Sequence, residues 1–407
     1  MTAFVLAVFV AVYAGMAAGR LPGVAFGRAG IAALAAFLLV AAGAVAPAEA
    51  FAAIDVATLA VLAGLMAVSA RLGEAGLYDR VAAGIAGAAG RPRRLLFLGI
   101  VAAGGLSALL ANDVVVFAMA PVLCMGLKAR GLDPRPHLAG LAGAANAGSA
   151  ATLVGNPQNI LIGTAGGLDF WTFLAVCGPF ALLALGAVHV AVSWAWRREL
   201  AAPPAAPAPT LPPVEATGIA VGALALAGFV VLVGAGLDRT AAALGVGAFV
   251  LLARRGAPLP LLRALDWKLV ALFAGLFVVN AALAGTGLPT LALARLEAAG
   301  VEVAGAAFLS TFSVLASNTI GNVPATILLL AQVPDPGPGA LHLLALVSTL
   351  AGNLLLVGSL ANIIVAERAA AVGVRFGLAD HLRAGPAMTL LGLLPVFLWL
   401  AAGYTLG

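Results

Sequence analysis

Charge is what this sequence has least of. Only 9% of its 407 residues are Asp, Glu, Lys or Arg, against about 25% in an ordinary soluble domain. With 63% of the residues hydrophobic, a water-soluble globule of this length has no interior large enough for the apolar surface. Lipid is therefore the expected solvent for most of the chain. Cysteine is nearly absent. Cys124 and Cys177 both lie in apolar stretches and read as small buried hydrophobes, which excludes a disulfide framework or a zinc-ligand spacing. No G-x-x-x-x-G-K-[ST] phosphate loop occurs, so direct ATP drive within the chain has no support, while an ATPase partner stays open. No nucleophile–base set or metal cluster falls in the apolar segments, which argues against an intramembrane enzyme. No basic residue precedes Arg20, so the positive n-region of a signal peptide is missing and the first apolar stretch reads as a retained span. The formal charge of +5 does not imply a nucleic-acid partner, and none is expected. The basic residues sit in short loops between apolar runs, where orientation signals belong.

Glycine, by contrast, is abundant at 50 residues, which suits transmembrane helices packed backbone to backbone. Apolar runs of spanning length cover about 3–19, 29–47, 54–72, 138–165, 171–196, 217–236, 266–287, 341–366 and 385–406, with a shorter one at 240–253. Two others, 95–127 and 303–332, are too long for one ordinary span and carry polar residues near their middles. The segments 78–90 and 289–302 read as connecting helices at the membrane interface. Ala201–Pro213 is rich in proline and alanine and reads as an extended cytoplasmic linker.

The chain repeats itself. At an offset of 211, Asp55 matches Asp266, Ala63-Gly64-Leu65 matches Ala274-Gly275-Leu276, and Gly76-Leu77 matches Gly287-Leu288. At 206, Ser107, Leu109 and Asn112 match Ser313, Leu315 and Asn318; at 203, Leu153-Val154-Gly155 and Asn159-Ile160 match Leu356-Val357-Gly358 and Asn362-Ile363. Three blocks in one order with drifting offsets indicate a duplicated unit: residues 1–196, a linker at 197–216, and residues 217–407. If 95–127 and 303–332 each enter the membrane and return to the same face, every repeat has five crossings plus one hairpin. An odd count inverts the second repeat. With both termini outside, all of the 21 basic residues except Arg239 and Arg295 then lie in the cytoplasm, as the positive-inside rule asks. The expected fold is thus an all-α polytopic protein of the inner (plasma) membrane, built from two inverted-topology repeats.

Polar residues mark where the chain breaks inside the bilayer. The first hairpin carries Ser107, Ala111-Asn112-Asp113 and Pro121; the second carries Ser313, Ser317-Asn318-Thr319 and Asn322-Val323-Pro324. Non-helical backbone at that depth survives only buried in protein or lining a wet cavity. Half-helix N-termini there offer N–H groups and dipoles to an anion, while carbonyl and amide oxygens serve a coupling cation. Asp113 is the one carboxylate placed deep in the hydrocarbon, and an ionisable group there is a functional residue by default, as a proton carrier or a cation ligand. The segments after the hairpins are also interrupted, one at Asn146-Ala147-Gly148-Ser149, Thr152 and Gly155-Asn156-Pro157-Gln158-Asn159, the other at Gly352-Asn353 and Gly358-Ser359-Leu360-Ala361-Asn362. Four amides around one proline exceed what a proline kink needs. The candidate site is therefore Asn112, Asp113, Asn146, Thr152, Gly155, Asn156, Pro157, Asn159, Ser317, Asn318, Thr319, Asn322, Asn353, Gly358, Ser359 and Asn362, with sodium, if used, near Asn112, Asp113, Ser317 and Asn318. His137, His189, His342 and His381 are scattered without ligand spacing and read as loop or interfacial residues.

Taken in order, Asn112-Asp113 with Pro121, Gly155-Asn156-Pro157-Gln158-Asn159, Asn322-Val323-Pro324-Ala325 and Gly358-Ser359-Leu360-Ala361-Asn362 resemble the ion-transporter superfamily. That group includes arsenite permeases, NhaD-type sodium/proton antiporters and divalent-anion/sodium symporters. The resemblance covers essentially the whole chain. It implies scaffold and transport domains, a site between two hairpins and two unwound helices, a homodimer, and elevator-like motion. Ser317-Asn318-Thr319 matches the symporter motif, whereas Ala111-Asn112-Asp113 and Leu355 depart from it, and Asn112-Asp113 followed by Pro121 looks more like the arsenite-permease side. The expected function is secondary transport of a small anion or oxyacid coupled to H+ or Na+, with no other cofactor. Arsenite or antimonite efflux and sodium/proton exchange are the alternatives, and a channel using the same fold ranks below them.

Overall fold

A computed structural model of the chain describes residues 1–18, 27–88, 91–205, 211–254, 259–333, 336–403 and 405–406. Arg20, Arg255 and the middle of the linker, 206–210, lie outside the described residues. All regular structure among the described residues is helical. The first half runs α1 (Thr2–Ala18), α2 (Arg28–Ala41), the short α3 (Pro47–Ala53), α4 (Val56–Glu74), α5 (Leu77–Gly87), α6 (Pro92–Leu109), α7 (Asn112–Ala129), α8 (Arg135–Ser149), α9 (Pro157–Ala165) and α10 (Phe170–Ala195). The second half runs α11 (Ala216–Gly234), α12 (Arg239–Leu252), the short α13 (Leu259–Ala264), α14 (Trp267–Gly285), α15 (Leu288–Ala298), α16 (Ala306–Ile320), α17 (Asn322–Gln332), α18 (Pro338–Ala351), α19 (Leu360–Ala371), the short α20 (Leu378–Leu382) and α21 (Gly385–Ala401). Six of these helices are long and apolar enough to cross a membrane, and several shorter apolar ones accompany them.

Local chemistry sets the boundaries. Asp55 and Asp266, paired in the sequence, cap α4 and α14 by accepting Thr58 N–H at 2.9 Å and Leu269 N–H at 3.0 Å. Gly76 and Gly287, paired in the same way, take positive φ at the turns into α5 and α15, where other residues pay a steric penalty.

The halves embrace reciprocally. Helix α4 packs along α12, and α2 packs along α14. The close points of these contacts are themselves repeat-related. A Cβ on Gly64 would collide with the Ala243 carbonyl, and one on Gly275 would collide with Ala32; Ala32 and Ala243 are also 211 residues apart. Small residues thus let backbones touch where the apolar effect between helices is weak.

Contacts at the helix ends show which ends share a face. On one face, Arg130 Nη1 donates to the carbonyls of Ala86 and Ala88 at 2.6 and 3.1 Å, tying the end of α7 to the end of α5. Arg71 makes a two-pronged pair with Glu215 at 2.8 and 2.9 Å, and Arg254 reaches Glu74 at 3.1 Å. Trp196 lies beneath both Arg135 and Arg383, at 5.5 and 3.5 Å. Arg135 also pairs with Asp133 at 2.8 Å and Asp380 at 3.4 Å. Burial pushes the Asp133 carboxyl up, but Arg135 more than offsets it, leaving the group below the usual carboxylate range. The described parts of the linker lie along this face, with Ala205 N–H on the Arg130 carbonyl at 2.9 Å and Pro212 O accepting from Arg80 at 3.0 Å. On the opposite face, Arg239 donates to Gly163 O at 2.7 Å, and Gly166 lies against Leu341. Surface ion pairs add little stability singly. Their value here is positional.

Helices α6 and α7 are each long enough to span, and their shared tip meets the break between α8 and α9. Asn112 N–H donates to Gly155 O at 3.0 Å, and α9 continues beyond that level for 9 residues, about 13 Å, before the chain turns into α10. Helix α5 is more than a surface connector, since Ala82, Ala83, Ile85 and Ala86 are buried and it packs on α7. Helix α15 buries no residue.

Candidate functional site

Eight helix ends converge. Helices α6, α8, α16 and α18 finish there, and α7, α9, α17 and α19 begin there. The first hairpin tip is fixed to the break between α8 and α9 by the Asn112 bond to Gly155 and by Thr152 Oγ1 on the Ala108 carbonyl. The second tip is fixed to the break between α18 and α19 by Asn318, whose Nδ2 donates to Ala351 O at 2.9 Å while its Oδ1 accepts Leu355 N–H at 3.0 Å. Gly155 and Gly358 sit where a Cβ would collide with Ser149 and with Asn318 Oδ1 respectively. Ala111, Gly321 and Ser359, which precede α7, α17 and α19, cap no helix N–H with their side chains. Those three positive ends face the convergence, while Asn156 caps α9 through Asn159 N–H at 2.8 Å. Anions are favoured at such ends, and the four carbonyl-bearing ends favour cations.

Asn146 is the hub. It is fully buried. Its Nδ2 donates to Asn353 Oδ1 at 2.8 Å and Asn362 Oδ1 at 3.1 Å, and its Oδ1 accepts from Ser359 Oγ at 2.9 Å and Asn112 Nδ2 at 3.5 Å. Both donors and both lone pairs of the amide are used. Asn353 Nδ2 continues to Gly143 O at 3.3 Å, and Asn362 Nδ2 to Gly352 O and Leu355 O at 2.7 and 3.2 Å. Asn156 reaches Ser149 Oγ at 3.0 Å and Thr349 Oγ1 at 3.3 Å, and Asn159 Nδ2 holds Thr152 O at 2.9 Å. Asn112 Oδ1, Asn159 Oδ1, Ser107 Oγ and Ser313 Oγ are buried without a protein partner. No group of three or more His, Cys, Asp or Glu residues suited to a metal ion occurs among the described residues.

Comparison with known proteins agrees with this architecture. The profile of the citrate transporter family, CitMHS, matches residues 4–351. The chain belongs to this family. As a CitMHS-family chain it is a multi-pass membrane transporter of the ion-transporter superfamily. It is 30% identical to an uncharacterized transporter of Mycobacterium tuberculosis over 98% of this chain and 99% of that protein. It is 27% identical to the rice silicon efflux transporter LSI3, over 86% of each chain. The crystal structure of the Alcanivorax borkumensis YdaH transporter shares its fold, with a TM-score of 0.59 at 17% identity, covering 100% of this chain and 99% of that one.

Most residues singled out in the sequence are brought together at this convergence, and a few are not. Asn112, Asn146, Thr152, Gly155, Asn156, Pro157, Asn159, Asn318, Asn353, Gly358, Ser359 and Asn362 form or border the network. Pro157 does not kink a helix; it occupies the first turn of α9, where no N–H is missed. Ser317 Oγ reaches only Ser348 O, at 3.4 Å, and Asn322 holds the Val323 N–H beside it at 3.0 Å. Thr319 is exposed and bonds back to Leu315 O at 2.9 Å, outside the network. Asp113 is half-buried in the first turn of α7, and its carboxylate has no hydrogen-bond partner among the described residues. Of the four residues expected near sodium, Asn112 has an unpartnered oxygen, while that of Asn318 is committed to Leu355.

The structure also corrects the reading of the histidines. His137, His342 and His381 are buried rather than interfacial, and His381 Nε2 lies 2.8 Å from Asn353 O, so it supports the break directly. Thr349, which receives both Asn156 and Gln158 Nε2 at 3.1 Å, was missed because a lone threonine in an apolar run carries no signal.

Proposed function

We propose that this protein is a secondary active transporter of a small anion or oxyacid, coupled to H+ or Na+, working by elevator-type alternating access. The observation that carries the reading is the meeting of four helix beginnings and four helix ends around one uncharged amide network. Such a site offers dipoles to an oxyanion and carbonyls to a coupling cation without any lysine or arginine among the described residues hydrogen-bonded into the network. A highly charged ligand would lack neutralising partners there. A weakly charged or neutral oxyacid suits amides and hydroxyls, and the rice relative's name places silicon within the same range. The family's citrate label keeps tricarboxylates in the test.

The reciprocal α4–α12 and α2–α14 contacts and the two hairpins support inverted repeats, each with five crossings and a re-entrant hairpin, at residues 1–196 and 217–407. On this reading the arginine-rich face is cytoplasmic, both termini lie outside, and the membrane is the inner (plasma) membrane. A homodimer fits the same scheme. Cysteines placed at Arg93 and Gly131 are then labelled from the same side of the membrane; labelling from opposite sides overturns the topology.

The decisive experiment is flux into proteoliposomes of purified protein, with citrate, arsenite, silicic acid and phosphate under imposed proton or sodium gradients. Gradient-driven uptake of one oxyacid is expected. Ohmic conductance with no gradient-driven accumulation of any of them rejects a carrier.

A further inference from the structure

Helix α10 is the longest among the described residues, at 26 residues, and its last turns form one side of a cleft that shares no residue with the amide network. The cleft, about 360 Å³, lies between the end of α10, the short turn Glu199–Ala201 and the start of α21, and is lined by Trp194, Ala195, Arg197, Arg198, Glu199 and Arg383. Its charge is unbalanced. Arg383 spends Nη2 on Ala195 O at 3.0 Å and Glu199 Oε1 at 2.9 Å, its guanidinium lies over the Trp196 ring at 3.5 Å, and its other guanidinium nitrogens make no hydrogen bond among the described residues. Arg198 has no ion-pair or hydrogen-bond partner there, and Arg197 only lies over the Trp194 ring at 5.9 Å. One carboxylate faces three guanidiniums.

The cleft opens sideways rather than only into water. Trp194 is 65% exposed, and Leu183 and Val190, at 55% and 58%, lie on the same face of α10 at helical spacing. An apolar stripe therefore climbs from the hydrocarbon level to the arginines, with an indole at the boundary where aromatic residues anchor to headgroups. A soluble anion needs the arginines but has no use for the stripe. We propose that this cleft seats an anionic phospholipid, its phosphate on Arg197 and Arg198 and an acyl chain along Leu183, Val190 and Trp194. Guanidinium forks match phosphate oxygens in a way lysine does not.

Native mass spectrometry of the full-length protein, titrated in detergent with phosphatidylglycerol or phosphatidylcholine, tests this. Retention of phosphatidylglycerol is expected to exceed that of phosphatidylcholine, and the paired substitution Arg197→Gln with Arg198→Gln is expected to weaken it about 30-fold. Trp194→Ala is expected to weaken phosphatidylglycerol while leaving any response to inorganic phosphate unchanged. Unaltered retention in the arginine variant overturns the proposal. So does full displacement of the lipid by inorganic phosphate at equal concentration, which would make the seat one for a soluble anion. The unmodified protein decides the matter even if the variant fails to fold, since equal retention of the two lipids overturns the proposal without any substitution.

Discussion

Replacing Asn146 by alanine removes one side chain and strands four partners. Asn353 Oδ1 and Asn362 Oδ1 lose a donor, and Ser359 Oγ and Asn112 Nδ2 lose an acceptor. Ser359 and Asn112 can rotate toward other oxygens. The other two cannot follow, because Asn353 Nδ2 holds Gly143 O and Asn362 Nδ2 holds Gly352 O and Leu355 O. Two buried acceptors left without donors cost about 1–3 kcal/mol each, so the expected loss is about 2–6 kcal/mol. Asn146→Asp is expected to be at least as damaging, since a carboxylate would face both amide oxygens where a donor now stands. Ser359→Ala breaks one bond only and is expected to cost about 1 kcal/mol. The assay is the thermal unfolding midpoint of purified protein in detergent, alongside proteoliposome flux. The order should be Asn146→Ala worst, Asn362→Ala next, Ser359→Ala least, with flux lost in the first. A midpoint and flux for Asn146→Ala equal to the wild type would refute the idea that this amide locks the two breaks together.

Gly64→Ala is expected to destabilise the contact between halves because its Cβ meets the Ala243 carbonyl, whereas Gly245→Ala on the partner helix, with nothing within 4 Å, is expected to be neutral in the same melting assay. Asp113→Asn should leave protein in the membrane but remove dependence of flux on the driving gradient; unchanged proton and sodium dependence denies Asp113 a coupling role. His381→Ala should lower flux by leaving Asn353 O without its imidazole donor, and wild-type flux would show that the break needs no such support. Asp133 sits below its usual range when folded, so its contribution is present above the ordinary carboxylate pKa and lost as pH falls through the depressed value. Asp133→Asn should therefore show a flatter fall in melting midpoint on the acid side.

Much of this architecture was legible because duplication writes itself twice. The match of Gly64 to Gly275 became two equivalent helix contacts, and the Asn-rich stretches after each hairpin became the two breaks. Thr319 shows where the reading stopped. Ser317, Asn318 and Thr319 remain within α16, which extends to Ile320, and consecutive helical residues fan apart by about 100° each. Three in a row cannot all face one site, so Asn318 turns inward and Thr319 outward. His381 was illegible for a different reason. Nothing near residue 381 in sequence predicts Asn353, and only the return of α20 against the break brings its ring to that carbonyl.

On the proposed function, the placement of Asp113 next to Asn112 separates two tasks within one turn of helix. Asn112 ties the start of α7 to Gly155 through its backbone and to Asn146 through its amide. Asp113, one residue on, points elsewhere, half-buried and outside the amide network. Under the proposed coupling, a proton or cation taken up at Asp113 changes the charge at the positive end of α7 without breaking any bond of the hub. Substrate contact and ion coupling can then be altered separately. Changes at Asn146, Asn353 or Asn362 should weaken binding and stability together, while changes at Asp113 should alter which gradient drives the cycle and leave the melting midpoint in place.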